Sequence, residues 1–544
     1  MKEISKFDSV RFRMFYRLFG AALLIAVAVA AVPPFLAMPP WGDVTLYDVA
    51  AREVRTGGMH YRDVFDTNPP GFVWSLVGIR SIVGSSYEVL RAVDLCVAAA
   101  IAAGLASLIR PTPAIWFFVA VALFYPFQSE FNHIQRDVWM MLPAVIATVL
   151  RTRRKIGSVF WPSVLEGMLW GCAVWFKPHM VVPAMAVWLA TFRMNGATGR
   201  TVAIDFLGQL TGGLLIGGLG TAYLVSTGTW PHMMEIMTQW NPEYAGNLFA
   251  ELSERLPWNI NYFGIWDLLN VAAIPLAILD LCRRDPQRRA LAALYLGWYL
   301  QAFLLQRFFP YVHVPEIILA LAVISNQRIP IGFGMLAWFA VQSVLWQIPG
   351  YAAAVEPSEF LTPHPLFRKH LYSAWPQCLC NGSSPALRDE LGHLNSAHCG
   401  TDWVALERIA DFLRTADLHD RELICWHDGT HPLYLMLNLK PGIRYMHLGT
   451  AWSFKSKREQ IAEEVRAANA RFVVSDLRVV TPDIHEANGP GDGGKWYRLP
   501  SWVPALQRDT FPWNQKIVFR SGRYIVHEIE KPLGRIHIAS EGDE

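Results

Sequence analysis

The sequence predicts a polytopic α-helical membrane protein with about eleven transmembrane helices and a C-terminal extracytoplasmic α/β domain. Three observations carry this. The 544 residues are 53% hydrophobic and only 17% charged, whereas soluble domains hold about 25% charged residues. Apolar stretches recur through residues 1–350, and Lys and Arg cluster in every second gap between them. From about Tyr351 the hydropathy falls, and no further stretch of spanning length occurs. The net charge of +3 is too small to point to a nucleic-acid partner.

A membrane-spanning helix needs about 17 to 25 mostly apolar residues. Stretches that approach this lie at 15–38, 88–109, 112–128, 138–151, 161–176, 178–193, 204–226, 263–282, 289–307, 312–326 and 329–348. The first contains FGAALLIAVAVAAVPPFLAM (Phe19 to Met38), which is longer than a signal-peptide core and ends in no clear small-x-small cleavage pattern, so it reads as a retained helix. Residues 70–84 (PGFVWSLVGIRSIVG) are too short for a full span and carry Arg80, which suits a juxtamembrane or partly inserted helix.

Orientation follows from the basic residues. The N-terminal MKEISKFDSVRFRMFYR, RTRRK (151–155), FRMNGATGR (192–200), CRRDPQRR (282–289) and Arg328 mark the cytoplasmic side, and the N-terminus with it. The other side then receives a first outer loop (39–87), 126–137, the break at Lys177, an outer loop (227–262), 306–313 and everything after Gly350. The outer loop is rich in Trp and Met, which suits either a surface helix walling a lipid groove or an aromatic belt.

The two domains are therefore 1–350, transmembrane, and 351–544, extracytoplasmic. In the second, ELICWH (422–427), IRYMHL (443–448) and RFVVSDLRVV (471–480) read as strands, and HPLYLMLNL (431–439) and KREQIAEEVRAANA (457–470) as helices. This is an α/β layer like part of a doubly wound domain. No Gly-x-Gly-x-x-Gly opens a helix, so nucleotide binding has no support.

The polar clusters all fall on the predicted outer side. The first is WGDVTLYDVAAREVRTGGMHYRDVFDTNPPG (41–71). It resembles the first outer loop of the C-type glycosyltransferases (GT-C), which include protein O-mannosyltransferases and lipid A aminoarabinose transferases. The matching positions are Asp43, Tyr47, Ala51, Gly58, Tyr61, Pro69, Pro70 and Gly71. The resemblance implies an integral membrane glycosyltransferase with a polyprenyl-phosphate sugar donor and a lipid, glycan or protein acceptor, and Asp43 as general base. Two departures stand out. Val44 replaces a second acidic residue, which weakens a paired-carboxylate metal site, and Asn68 replaces a phosphate-binding lysine, so another cation must take its place.

Sugar transfer from a lipid phosphate needs a carboxylate to take the acceptor proton and cations to stabilise the leaving phosphate. Asp43 suits the first task, and an N-cap of a helix beginning near Thr45 is its plainer reading. Tyr61, Asp63, Asp66 and Asn68 are sugar-site candidates, with turn bonding as the alternative for the aspartates and Arg62 as their partner. In SEFNHIQRD (129–137), Glu130, His133 and Asp137 share a face if the helix starts early, and Arg136 offers a fork of donors for phosphate. Lys177 and His179 form a helix junction, as do Arg307, Tyr311 and His313, and each suits either anion binding or interface anchoring.

No cofactor is firmly implied, and a divalent cation is left open. No metal ligands are assigned: Cys378, Cys380, His393, His398 and Cys399 miss a zinc-finger spacing by one residue, and a disulfide from Cys399 to Cys378 or Cys380 fits an oxidising compartment better. A transporter or flippase for a lipid-linked or anionic solute is the alternative; it predicts polar groups at mid-membrane and repeated halves, which the sequence does not display.

Overall fold

The computed structural model describes residues 2–109, 111–154, 159–192, 198–245, 265–306, 309–327, 331–332, 334–335, 373–392, 400–446, 448, 454–479 and 508–536. A long helix α1 (Lys2–Ala37) stops just before the Pro39-Pro40 pair, which restricts the backbone. Two shorter helices, α2 (Gly42–Arg55) and α3 (Gly71–Val83), follow. They are bolted together by Arg80, whose Nε and Nη2 hold the two Asp48 oxygens at 2.8 and 2.6 Å while Nη1 donates to the carbonyls of Gly84 and Ser86. The charge that interrupts an apolar stretch in the sequence is thus fully paired inside the fold.

The helices α4 (Tyr87–Ala106), α5 (Pro111–Phe124), the single turn α6 (Arg136–Trp139), α7 (Met141–Thr152), α8 (Phe160–Phe176), α9 (Val181–Thr191) and α10 (Gly199–Ser226) come next. After α11 (Trp230–Glu235) and α12 (Asn241–Ala245) stand α13 (Ile265–Leu281), α14 (Pro286–Leu305) and α15 (Pro310–Asn326). Helices cover every predicted apolar stretch but 329–348, which lies almost wholly outside the described residues. Three segments, Met14–Ala37, Tyr87–Ala106 and Gly199–Ser226, are long and apolar enough to cross a membrane by length and composition, with shorter apolar helices beside them. The chain is a polytopic helical membrane protein with a C-terminal domain.

The α8–α10 pair shows how such helices pack without a hydrophobic effect between them. A Cβ at Gly212 would collide with the Val164 carbonyl, and one at Gly167 with the Gln209 carbonyl, so only glycine allows the backbones so close. Leu214, on the opposite side of α10 from Gly212, is 66% exposed, as a lipid-facing side requires.

The C-terminal part contains α16 (Trp375–Cys380), α17 (Pro385–Leu391), α18 (Trp403–Thr415), α19 (Pro432–Met436) and α20 (Arg458–Ala467) around a four-stranded sheet. Its order is β1 (Leu423–Cys425), β2 (Phe472–Asp476), β5 (Tyr524–Glu528), β4 (Lys516–Ser521); β3 (Thr510–Phe511) and β6 (Arg535–Ile536) pair separately. Within the four-stranded sheet β1 and β2 run parallel, joined through a helical crossover, while β2–β5 and β5–β4 are antiparallel; β3 and β6 are also parallel. The sheet is therefore mixed and not doubly wound. IRYMHL is not a strand, because Phe65 N–H takes the Arg444 carbonyl and ties that segment to the first loop.

This domain grips α2 and the loop after it. Arg52 donates to the Tyr434 carbonyl at 2.6 Å and also to Leu439, Lys440 lies 3.7 Å from Glu53, and Arg421 lies 3.3 Å from Asp63. Phe65 fills a cage made by Trp240, Tyr445 and Phe454. Trp240, in a π-helical turn at Ile236–Trp240, is buried in that joint rather than in an aromatic belt; residues 246–264 lie outside the described chain.

Candidate active site

The Pro pair ends at Trp41, which occupies the N-cap position of α2 without a side-chain capping bond. Asp43 is therefore not the cap. It sits in the first turn, at the positive end of the helix dipole, half-buried, one helical turn before Tyr47 on the same face.

Arg136 reaches this face from α6. Its Nη1 donates to the Tyr47 hydroxyl at 2.5 Å, and its guanidinium lies 5.8 Å from the Tyr47 ring centre. Asn68 Nδ2 approaches the same hydroxyl at 3.3 Å. Asp137 is fully buried; its Oδ1 takes the Lys177 ammonium at 2.8 Å, and its Oδ2 is 3.7 Å from Arg136 Nε. Lys177 lies in the break between α8 and the turn Pro178–Met180, and it also donates to Gln306, which in turn donates to Gln301.

The Asp43 carboxylate is near enough to act electrostatically on Tyr47, Lys177 and Tyr311. Burial pushes the Lys177 ammonium down to about 8, with Asp137 pulling the other way. Two buried atoms in the cluster, Arg136 Nε and Asp137 Oδ2, have no hydrogen-bond partner among the described residues, and neither has the buried Nδ1 of His179. Buried polar groups left so are costly and point to something that completes them.

Asp43, Arg136, Asp137, Lys177, His179 and Tyr311 thus come together, with Asn68 at their edge. The other described candidates make different contacts. Tyr61 is buried, stacks on His60 and donates to the Asn68 carbonyl at 2.7 Å. Asp66 accepts from Asn68 N and Nδ2 at 2.9 and 2.7 Å, the Asx-type bonding that its turn favours. Asp63 binds Met59 N and Arg62 and faces Arg421, so it belongs to the domain joint.

Glu130, His133 and Asp137 do not share a helix face. Glu130 opens a one-turn 3-10 segment, His133 and Gln135 are extended, Ile134 is left-handed, and α6 begins only at Arg136. His133 lies 3.3 Å from Arg91 and 2.9 Å from the Tyr125 carbonyl, in the packed interior. His313 sits 3.1 Å from Glu316 on its own helix. Arg307, His393, His398 and Cys399 lie outside the described residues; Cys378 and Cys380 are free thiols on α16. Among the described residues no three His, Cys, Asp or Glu side chains are arranged to hold a metal ion.

Sequence reasoning passed over Gln306 and Gln301, which have no charge or motif to mark them. It also left Tyr47 out of the site, although its spacing of four from Asp43 was the available signal.

No family model matches the chain, and no curated protein matches it in sequence. Solved structures do. ArnT from Cupriavidus metallidurans bound to undecaprenyl phosphate is 15% identical, with a TM-score of 0.50 over 95% of this chain and 99% of that one. ArnT in the apo state is 13% identical, with a TM-score of 0.51 over the same shares. The oligosaccharyltransferase of Archaeoglobus fulgidus in the apo form scores 0.46 at 13% identity, over 85% of this chain and 70% of that one, and adds no weight. At these identities the likeness shows the fold alone: the chain folds like ArnT.

Proposed function

We propose that the chain is an integral membrane glycosyltransferase. It takes a sugar from a polyprenyl-phosphate donor and transfers it to a lipid, glycan or protein acceptor on the extracytoplasmic face, with Asp43 as general base. The observation that carries this is the half-buried Asp43 carboxylate within electrostatic reach of the Lys177 ammonium and one helical turn from Tyr47, which Arg136 binds. ArnT, with this fold, was solved with undecaprenyl phosphate bound.

In this reading the acceptor hydroxyl gives its proton to Asp43 while its oxygen bonds to the anomeric carbon. The bond from that carbon to the phosphate oxygen breaks, and the electron pair leaves on the polyprenyl phosphate. Arg136 and Lys177 stabilise the charge that develops there, and Arg307 is the further candidate. The loop charge bias supports a cytoplasmic N-terminus, about eleven spans over residues 1–350, and an outer domain at 351–544. The grip of the C-terminal domain on α2 supports placing both on one side. A divalent cation in the reaction stays open.

Mass-spectrometric comparison of envelope glycolipids, glycans and glycoproteins from cells carrying wild type or Asp43→Asn tests the reading. Loss of one glycan in the variant supports it. A folded Asp43→Asn protein that leaves every glycan intact, together with a solute flux that depends on the protein, selects the transporter instead.

A further inference from the structure

We propose that the Tyr47 hydroxyl donates a hydrogen bond to a phosphate oxygen of the lipid-linked donor, with Asn68 and Arg136 holding the phenol in the orientation that allows it. This rests on the glycosyltransferase reading and adds a phosphate ligand to it.

The argument is one of hydrogen-bond accounting. A phenol oxygen has one proton to give and lone pairs that accept. On Tyr47 the accepting side is occupied: Arg136 Nη1 donates from 2.5 Å and Asn68 Nδ2 from 3.3 Å. Neither donor can take the phenol proton, and among the described residues no acceptor takes it. The proton is therefore directed away from both, while the residue is only 3% exposed. A buried hydroxyl that accepts twice and donates to none of the described residues is a donor waiting for a ligand.

The surroundings hold the ring in place. Tyr47 packs edge-on against Phe72, with ring centres 5.0 Å apart, and the Arg136 guanidinium covers its face. Asn68 is itself pinned, its other amide bond going to Asp66 Oδ1 at 2.7 Å. Burial raises the phenol pKa well above its ordinary value, Arg136 pulling the other way, so the hydroxyl keeps its proton. Arg136 adds its positive charge to the same cluster, its Nε beyond hydrogen-bond reach of Asp137 Oδ2 at 3.7 Å, which makes an anion the matching ligand. Position 68, where the resemblance expects an ammonium, thus carries an amide that works through Tyr47.

The test uses the full chain in lipid nanodiscs and three probes: undecaprenyl phosphate, undecaprenol and inorganic phosphate. Tyr47→Phe keeps the ring and removes only the donor. Its affinity for undecaprenyl phosphate is expected to fall about tenfold, with undecaprenol binding unchanged. The same fall for inorganic phosphate shows that the headgroup alone is read; a fall for undecaprenyl phosphate only shows that the lipid must seat it. Should Tyr47→Phe fold poorly by thermal unfolding, 3-fluorotyrosine at this position restores ring and hydroxyl with a more acidic proton, and binding at least as tight as wild type is expected. Wild type and Tyr47→Phe binding undecaprenyl phosphate equally overturns the inference alone. A wild type that binds none of it overturns the glycosyltransferase reading and the inference with it.

Discussion

The molecule contains two buried ionic clusters toward opposite ends of α7 and α8, separated by roughly 16 to 21 Å of chain at 1.5 Å per helical residue. At one end Arg151 and Arg154 meet Glu166 and Asp205. Every carboxylate oxygen there is taken: Gln209 adds a bond to Glu166 at 3.0 Å, and Ser163 and Trp188 add bonds to Asp205 at 2.6 and 3.1 Å. Among the described residues two positive and two negative charges balance there, with Arg154 Nε left over. At the other end Arg136, Asp137 and Lys177 form a chain with orphaned atoms and a half-buried Asp43 beside it.

Burial and charge alone do not distinguish a lock from a site; here the two clusters differ in that every carboxylate oxygen of the first is hydrogen-bonded, whereas Asp137 Oδ2 of the second is not. A closed network has its desolvation cost offset by its own members, whereas an unsaturated one is left for a ligand to complete.

Breaking the comparison at its most reactive point gives the largest expected effect. Asp43→Asn should lower sugar transfer by about 10² to 10⁴-fold, the usual worth of a general base, without a shift in thermal unfolding. Full transfer by this variant would move the base elsewhere. The saturated end should respond in the opposite way. Glu166→Gln leaves two buried guanidinium groups short of charge and should cost about 3 kcal/mol of stability in a detergent-solubilised melt, while the folded fraction binds undecaprenyl phosphate like wild type. Weaker binding by that fraction would mean that the two ends are coupled.

Smaller effects sharpen the contrast. Gly212→Leu should destabilise by about 1 to 3 kcal/mol through overpacking of α10 on α8. Gly217→Leu on the same helix, where an added Cβ meets nothing within 4 Å, should leave the melt unchanged. The smallest expected change is with pH. The Lys177 ammonium binds an anion and the neutral amine does not, so affinity for undecaprenyl phosphate should fall a few-fold as pH rises through about 8. The Lys177→Arg variant should lose that slope, because arginine stays charged. An unchanged slope would remove Lys177 from the phosphate ligands.

The C-terminal hairpin shows a signal that was present and unused. KIVFR-SGR-YIVHE has strand-like runs around a Ser-Gly turn, and Gly522 takes the positive φ of 55° that the turn requires. IRYMHL shows the converse, since its apolar pattern fits a strand but a neighbouring loop claims its backbone.

By itself the sequence determined the membrane class, the helix positions, the first-loop resemblance and the gathering of Asp43, Arg136 and Lys177 into one region, because hydropathy and loop charge are local and additive along the chain. Tertiary structure alone decided which polar residues complete one another. His133 went to Arg91, Asp63 to Arg421 and Asp66 to Asn68, while Tyr47 received two donors and gave its proton to none of the described residues. Hydrogen-bond satisfaction depends on partners as far as several hundred residues away in sequence, and no spacing along a single chain encodes it.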